Sequence, residues 1–62
     1  MNSQDIIARL KQEKWVLRNI KGSHYQFIHP NKLGRVTVPH PKKDLPKGTL
    51  RSIYKQAGWN WP

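Results

Sequence analysis

Two sets of side chains in this sequence could do chemistry, and both are basic. The first centres on His24, which follows the turn residues Lys21-Gly22-Ser23. Imidazole titrates near neutral pH, so an exposed one can take a proton from one oxygen and give it to another. Cleaving RNA without a metal asks for little more. A base deprotonates the ribose 2′-hydroxyl, an acid protonates the leaving 5′-oxygen, and cations stabilise the crowded phosphate. Ser23 and Gln26 are the polar neighbours of His24, and Lys21 or Lys47 could offset phosphate charge. Taken alone, one histidine is more often an ordinary surface residue than a catalytic one. The second set is Lys47, Arg51 and Lys55, which recur every four residues and so form one helical stripe. With Lys42 and Lys43 ahead of it, that stripe could track a phosphate backbone.

The other histidines read differently. His29 lies five residues after His24, so an unbroken strand aims it at the opposite face. Beside Pro30 it reads as a turn residue rather than a catalytic partner. His40 sits between Pro39 and Pro41, where a solvated, extended loop position is the expectation. The spacing of the three histidines does not suggest a metal site, and the three acids, Asp5, Glu13 and Asp44, are too scattered for a two-metal nuclease. Neither a metal nor a cofactor is expected.

Composition narrows the partners. The chain has 62 residues, with twelve Lys and Arg against three acids and a net charge of +9. Its pI is near 10.6 and its mean hydropathy is -0.86. So large an imbalance in so short a chain points to a polyanion, and the cations have few carboxylates to pair with. The expectation is one small domain, residues 1–62, with a thin core; a large cofactor-binding enzyme does not fit this length. Without cysteine there is no disulfide staple, which suits a reducing cytoplasm. The longest apolar run, Trp15-Val16-Leu17, is far short of a membrane span or signal-peptide core.

The elements that must position these residues follow from periodicity. Asn2 or Ser3 can cap a first helix running to about Glu13, with Ile6, Ile7 and Leu10 in one arc. Trp15 to Ile20 is rich in aromatic and β-branched residues and reads as a strand. In a second strand, His24 to His29, Tyr25 and Phe27 share one face while His24, Gln26 and Ile28 share the other. Pro30 to Gly34 reads as a hairpin turn, and Arg35 to Val38 as a third strand with Val36 and Val38 on one face. Leu50, Ile53, Tyr54 and Ala57 predict a second helix, with Asp44 as cap, Pro46 in its first turn and Gly58 as its stop. A three-stranded antiparallel sheet with two helices on one face, an α+β fold in the order α-β-β-β-α, would use every apolar stripe. Trp15, Tyr25 and Phe27 are then core residues. Trp59 and Trp61 could stack on bases, although covering the edge of a thin core is the commoner use.

Set in order, these segments resemble the HicA toxin family. The matching stretches are Trp15-Val16-Leu17, Lys21-Gly22-Ser23-His24, Arg35-Val36-Thr37-Val38-Pro39, Lys47-Gly48-Thr49-Leu50-Arg51-Ser52-Ile53 and Gln56-Ala57-Gly58. A Gly-Ser-His triplet alone is weak; in this order the pattern is fairly specific and spans the chain from the first helix to Gly58. The resemblance implies a double-stranded-RNA-binding-like fold and an mRNA interferase, the toxin half of a type II toxin–antitoxin pair. It places the family's single catalytic histidine on His24 and implies a HicB-type antitoxin that covers the active site in a hetero-oligomer. RNA contacts are then expected from Lys21, Ser23, Gln26, Lys47, Arg51 and Lys55. A non-catalytic RNA-binding module, or a protein whose charge serves an acidic protein partner, would use the same basic surface.

Overall fold

The computed structural model describes residues 1–61. Its elements are α1 (Ser3–Gln12), β1 (Val16–Lys21), β2 (His24–His29), β3 (Lys32–Pro39) and α2 (Lys47–Ala57). The strands form an antiparallel sheet in the order β1-β2-β3, and both helices lie on one face of it, as the apolar periodicities predict. Asn2, rather than Ser3, caps α1: its Oδ1 accepts from the Asp5 backbone N–H at 2.8 Å. Ile6 and Leu10 are thereby turned inward to meet Phe27, Val36, Val38, Ile53 and Ala57 in the core. Lys14, with φ of 77°, takes the left-handed position after α1, and the Trp15 N–H returns to the Leu10 carbonyl. That reversal drops Trp15 into the core just before β1 begins, so it is not part of the strand.

Three other expectations change. The β2–β3 hairpin turns in two residues, Pro30-Asn31, with His29 opposite Lys32. Gly34, at φ of 82°, lies in the irregular stretch between the Phe27–Val36 and His29–Lys32 pairs, where β3 has the extra residues. It serves a bulge inside the strand rather than the turn. Asp44 does not cap α2; Pro46 stands at the cap without a side-chain hydrogen bond. The cause is tertiary: the Leu45 side chain is buried and its N–H donates to the Met1 carbonyl at 3.0 Å, which fixes the approach to the helix.

Finally, not every apolar residue is covered. Both helices pack toward β3, leaving Leu17 and Ile20 of β1 exposed on the helix side, while Val16, opposite Ile28, is exposed on the open face. Two sets of bonds hold the helices there. Ser3 exchanges hydrogen bonds with Lys42 beyond the end of β3, and Gln56 of α2 accepts the Thr37 N–H on the outer edge of β3.

Candidate active site

Gly22 is where the local sequence begins to aim His24. It occupies the first central position of a two-residue hairpin turn with φ of 62°, a positive value that glycine adopts without a Cβ penalty. The turn sets Lys21 directly opposite His24, which in turn faces Pro39 of β3. Opposed residues of an antiparallel pair carry Cβ atoms about 4.5–5.5 Å apart. Phe27 is buried under the helices, so alternation along β2 sends His24, Gln26 and Ile28 to the open face. His24 is exposed there, and the Ser23 carbonyl just before it is held by the His40 N–H at 2.8 Å.

Gln26 sits on the same face, two residues along, opposite Asn19 and Thr37. Its Oε1 accepts from the Arg35 guanidinium at 2.7 Å. Arg35 is the residue that sequence reasoning missed. The signal was present, because Arg35 precedes the inward Val36 and must point the other way. The open face thus groups Lys21, His24, Gln26 and Arg35, with Ser23 exposed at its rim. An imidazole with one cation directly opposite it, and a second on the same face beside Gln26, suits proton transfer at an anionic group. Among the described residues the ion pair Arg9–Glu13 stands alone, so neither Lys21 nor Arg35 is neutralised by a carboxylate.

Lys47, Arg51 and Lys55 are exposed along α2, on the helical side of the sheet. The structure therefore puts the basic stripe and His24 on different layers rather than in one pocket. Lys47 is not a neighbour of His24 across the open face. Among the described residues, no three of His, Asp and Glu gather where they could hold a metal ion.

The other histidines are structural. His29 Nδ1 accepts the Asn31 N–H at 3.0 Å, so its proton lies on Nε2, which donates to the Glu13 carbonyl at 2.9 Å. Its ring meets Trp15 edge-on at 5.2 Å. His40, expected in a solvated loop, is half-buried instead. The Ser3 hydroxyl accepts from the Lys42 N–H at 2.8 Å and is hydrogen-bonded to His40 Nδ1 at 2.7 Å, while Tyr25 packs edge-on against the ring at 4.8 Å.

Glu13 joins the two ends of the chain on the far side from His24. One of its oxygens accepts the Trp59 indole N–H at 2.7 Å, and the other pairs with Arg9 at 3.2 Å. The indole bond, helped by Arg9 and Lys32, lowers the carboxyl below its ordinary 4.5 against the opposing effect of burial. A carboxylate depressed in the folded state stabilises the fold above its unfolded pKa, and that stability fades as pH falls through the folded value. Melting temperature should therefore drop on acidification below about pH 4.5, and Glu13→Gln should flatten that drop. Parallel melting curves for the two proteins across that range would assign the acid sensitivity elsewhere.

The comparisons agree with this architecture. A family model described as "HicA toxin of bacterial toxin-antitoxin" matches residues 3–59. A solved structure titled "HicA3 and HicB3 toxin-antitoxin complex" contains a chain 32% identical to this one, covering 100% of both chains with a TM-score of 0.71. No curated protein matches. The matched span runs from the first residue of α1 to the tryptophan that closes on Glu13, so it takes in every element that positions His24. With helix, three strands and helix in the same order as its sequence motifs, this chain belongs to the HicA toxin family.

Proposed function

We propose that this chain is a metal-independent endoribonuclease, an mRNA interferase, with His24 as the catalytic acid or base. The observation that carries the reading is the placement of His24 on an open sheet face opposite Lys21, in a chain of this family. The ribose 2′-oxygen attacks the adjacent phosphorus as the bond to the 5′-oxygen breaks. His24 exchanges the proton at one of those two oxygens, and Lys21 and Arg35 offset charge on the phosphate. Ser23 and Gln26 contact the substrate beside it, and Lys47, Arg51 and Lys55 bind the strand elsewhere. A regular A-form helix holds the 2′-hydroxyl away from in-line attack, so flexible, single-stranded mRNA is the expected substrate. Cleavage of mRNA then stops translation and growth.

The partner is a HicB-type antitoxin that covers the open face in a toxin–antitoxin hetero-oligomer. The related HicA3 chain was solved together with HicB3, which supports this assignment. No helix among the described residues is long and apolar enough to cross a membrane, and the site of action is the cytoplasm, where mRNA is translated.

A second reading, a non-catalytic RNA-binding module, is favoured by one observation. No hydrogen bond among the described residues orients the His24 ring. Incubating the pure protein with single-stranded RNA in EDTA separates the two. Cleavage should persist in chelator and should stop when the nucleotide at the cut carries a 2′-deoxy ribose. Activity lost in EDTA and restored by magnesium would sink the metal-free mechanism, and cutting at the deoxy position would make water the nucleophile.

A further inference from the structure

The C-terminal end of α2 holds a second basic surface, away from His24. Gly58 takes a left-handed conformation with φ of 77°, and the Trp59 N–H reaches back to the Tyr54 carbonyl at 2.8 Å. That reversal folds the tail over the helix it has just left. Trp59 is consumed by the fold: it is buried, Arg9 lies 3.9 Å above its ring, and its N–H is given to Glu13. Trp61 is not consumed. It meets Tyr54 nearly at right angles with centroids 5.1 Å apart and is 37% exposed. Arg51 stands 5.9 Å from its ring. Arg51, Ser52, Tyr54, Lys55, Trp59 and Trp61 line a shallow cleft of about 340 Å³.

Covering a core does not need this arrangement, because Trp59 already closes that end of the core. An indole left open beside two cations that have no carboxylate partner among the described residues is the combination that holds a single nucleic-acid strand. The π-face takes a base and the cations take its phosphates. The stripe Lys47, Arg51, Lys55 spans about 12 Å of helix and leads into the cleft. We propose that the Trp61–Arg51–Lys55 cleft is a stacking subsite for an unpaired base of single-stranded RNA. It rests on the ribonuclease reading for the identity of the strand, and it adds a contact remote from the bond that is cut.

The test uses a labelled single-stranded 2′-O-methyl RNA, which resists attack by its own ribose, and measures binding by anisotropy over a range of salt. Trp61→Ala should weaken binding about ten-fold without changing the salt slope, whereas Trp61→Phe should retain most of the affinity. Arg51→Ala with Lys55→Ala should make the slope shallower by about 1.4, at roughly 0.7 for each lost single-strand contact. An abasic version of the probe should bind the wild-type protein as weakly as the full probe binds Trp61→Ala, a comparison that does not depend on how a variant folds. Equal affinity of wild type and Trp61→Ala overturns the proposal, as does an abasic probe that binds as tightly as the full one. A Trp61→Ala protein that loses antitoxin affinity but not RNA affinity also overturns it, and makes the cleft a protein interface. RNA cleavage with Trp61-independent binding leaves the ribonuclease standing without the subsite. Trp61-dependent binding without cleavage does the reverse.

Discussion

His24→Ala should abolish RNA cleavage and growth inhibition while leaving the fold, RNA affinity and antitoxin binding close to those of the wild type. The side chain is exposed on the open face, and no hydrogen bond among the described residues depends on it. Truncating it leaves no cavity and no orphaned buried group, so stability should move by no more than about 0.5 kcal/mol. Losing a general acid or base, by contrast, typically costs about 10² to 10⁴ in rate. The control is His29→Ala, and the structure makes it a sharper one. It removes the bonds to Glu13 and Asn31 and the edge contact with Trp15, so it should lower the melting temperature yet cleave normally per folded molecule. Single-turnover cleavage at a temperature where both variants are folded is the measurement. Near wild-type cleavage by His24→Ala would end the assignment, and so would a loss of activity traced to unfolding.

Phe27→Ala should have the largest effect on stability. Phe27 is fully buried at the centre of the sheet, with Val36 beside it and helix residues Ile6, Leu10 and Ile53 above. Replacing a buried phenylalanine by alanine typically costs about 3–5 kcal/mol, the lost transfer energy plus the cavity left behind. A domain of 62 residues has roughly 3–9 kcal/mol in total at typical values per residue. The variant should therefore be largely unfolded at 37 °C or melt far below the wild type, and it should lose RNA cleavage although the side chain faces away from His24. Thermal and urea unfolding followed by circular dichroism check it. A melting temperature within a few degrees of the wild type would mean that the sheet does not depend on this contact. The pairing with His24→Ala is informative, because the two residues lie three apart on one strand and point to opposite faces. One substitution should remove chemistry and keep the fold; the other should remove both.

Much of this protein is written in local pattern. Strict alternation in His24 to His29 requires that whatever covers Phe27 leaves His24 open, because successive side chains of a strand point to opposite faces. The same holds for the i, i+3, i+4, i+7 spacing of Leu50, Ile53, Tyr54 and Ala57, which leaves Lys47, Arg51 and Lys55 beside the buried stripe. Gly22 and Gly58 mark reversals for a reason that belongs to the residue itself, the ease of a positive φ. Net charge is likewise a property of composition and does not depend on the fold.

What local pattern could not settle was each choice made between distant segments. Whether Gly34 served a turn or a bulge depended on pairing His29 with Lys32, which no residue within β3 dictates. His40 looked like a solvated loop residue because its partner, Ser3, is 37 positions away. Asp44 had the chemistry of a cap and lost the role because Leu45 is tied to Met1. Glu13 and Trp59 meet across 46 positions, so the depressed carboxyl could not be read from its neighbours, and the expectation that Trp59 covers a thin core, although met, named no partner for it. The gathering of Lys21, His24, Gln26 and Arg35 on one face, and the separation of Lys47, Arg51 and Lys55 from it, are decisions of the same kind. Alternation and helical period tell a side chain which way to point relative to its own backbone; register and packing decide what it finds there.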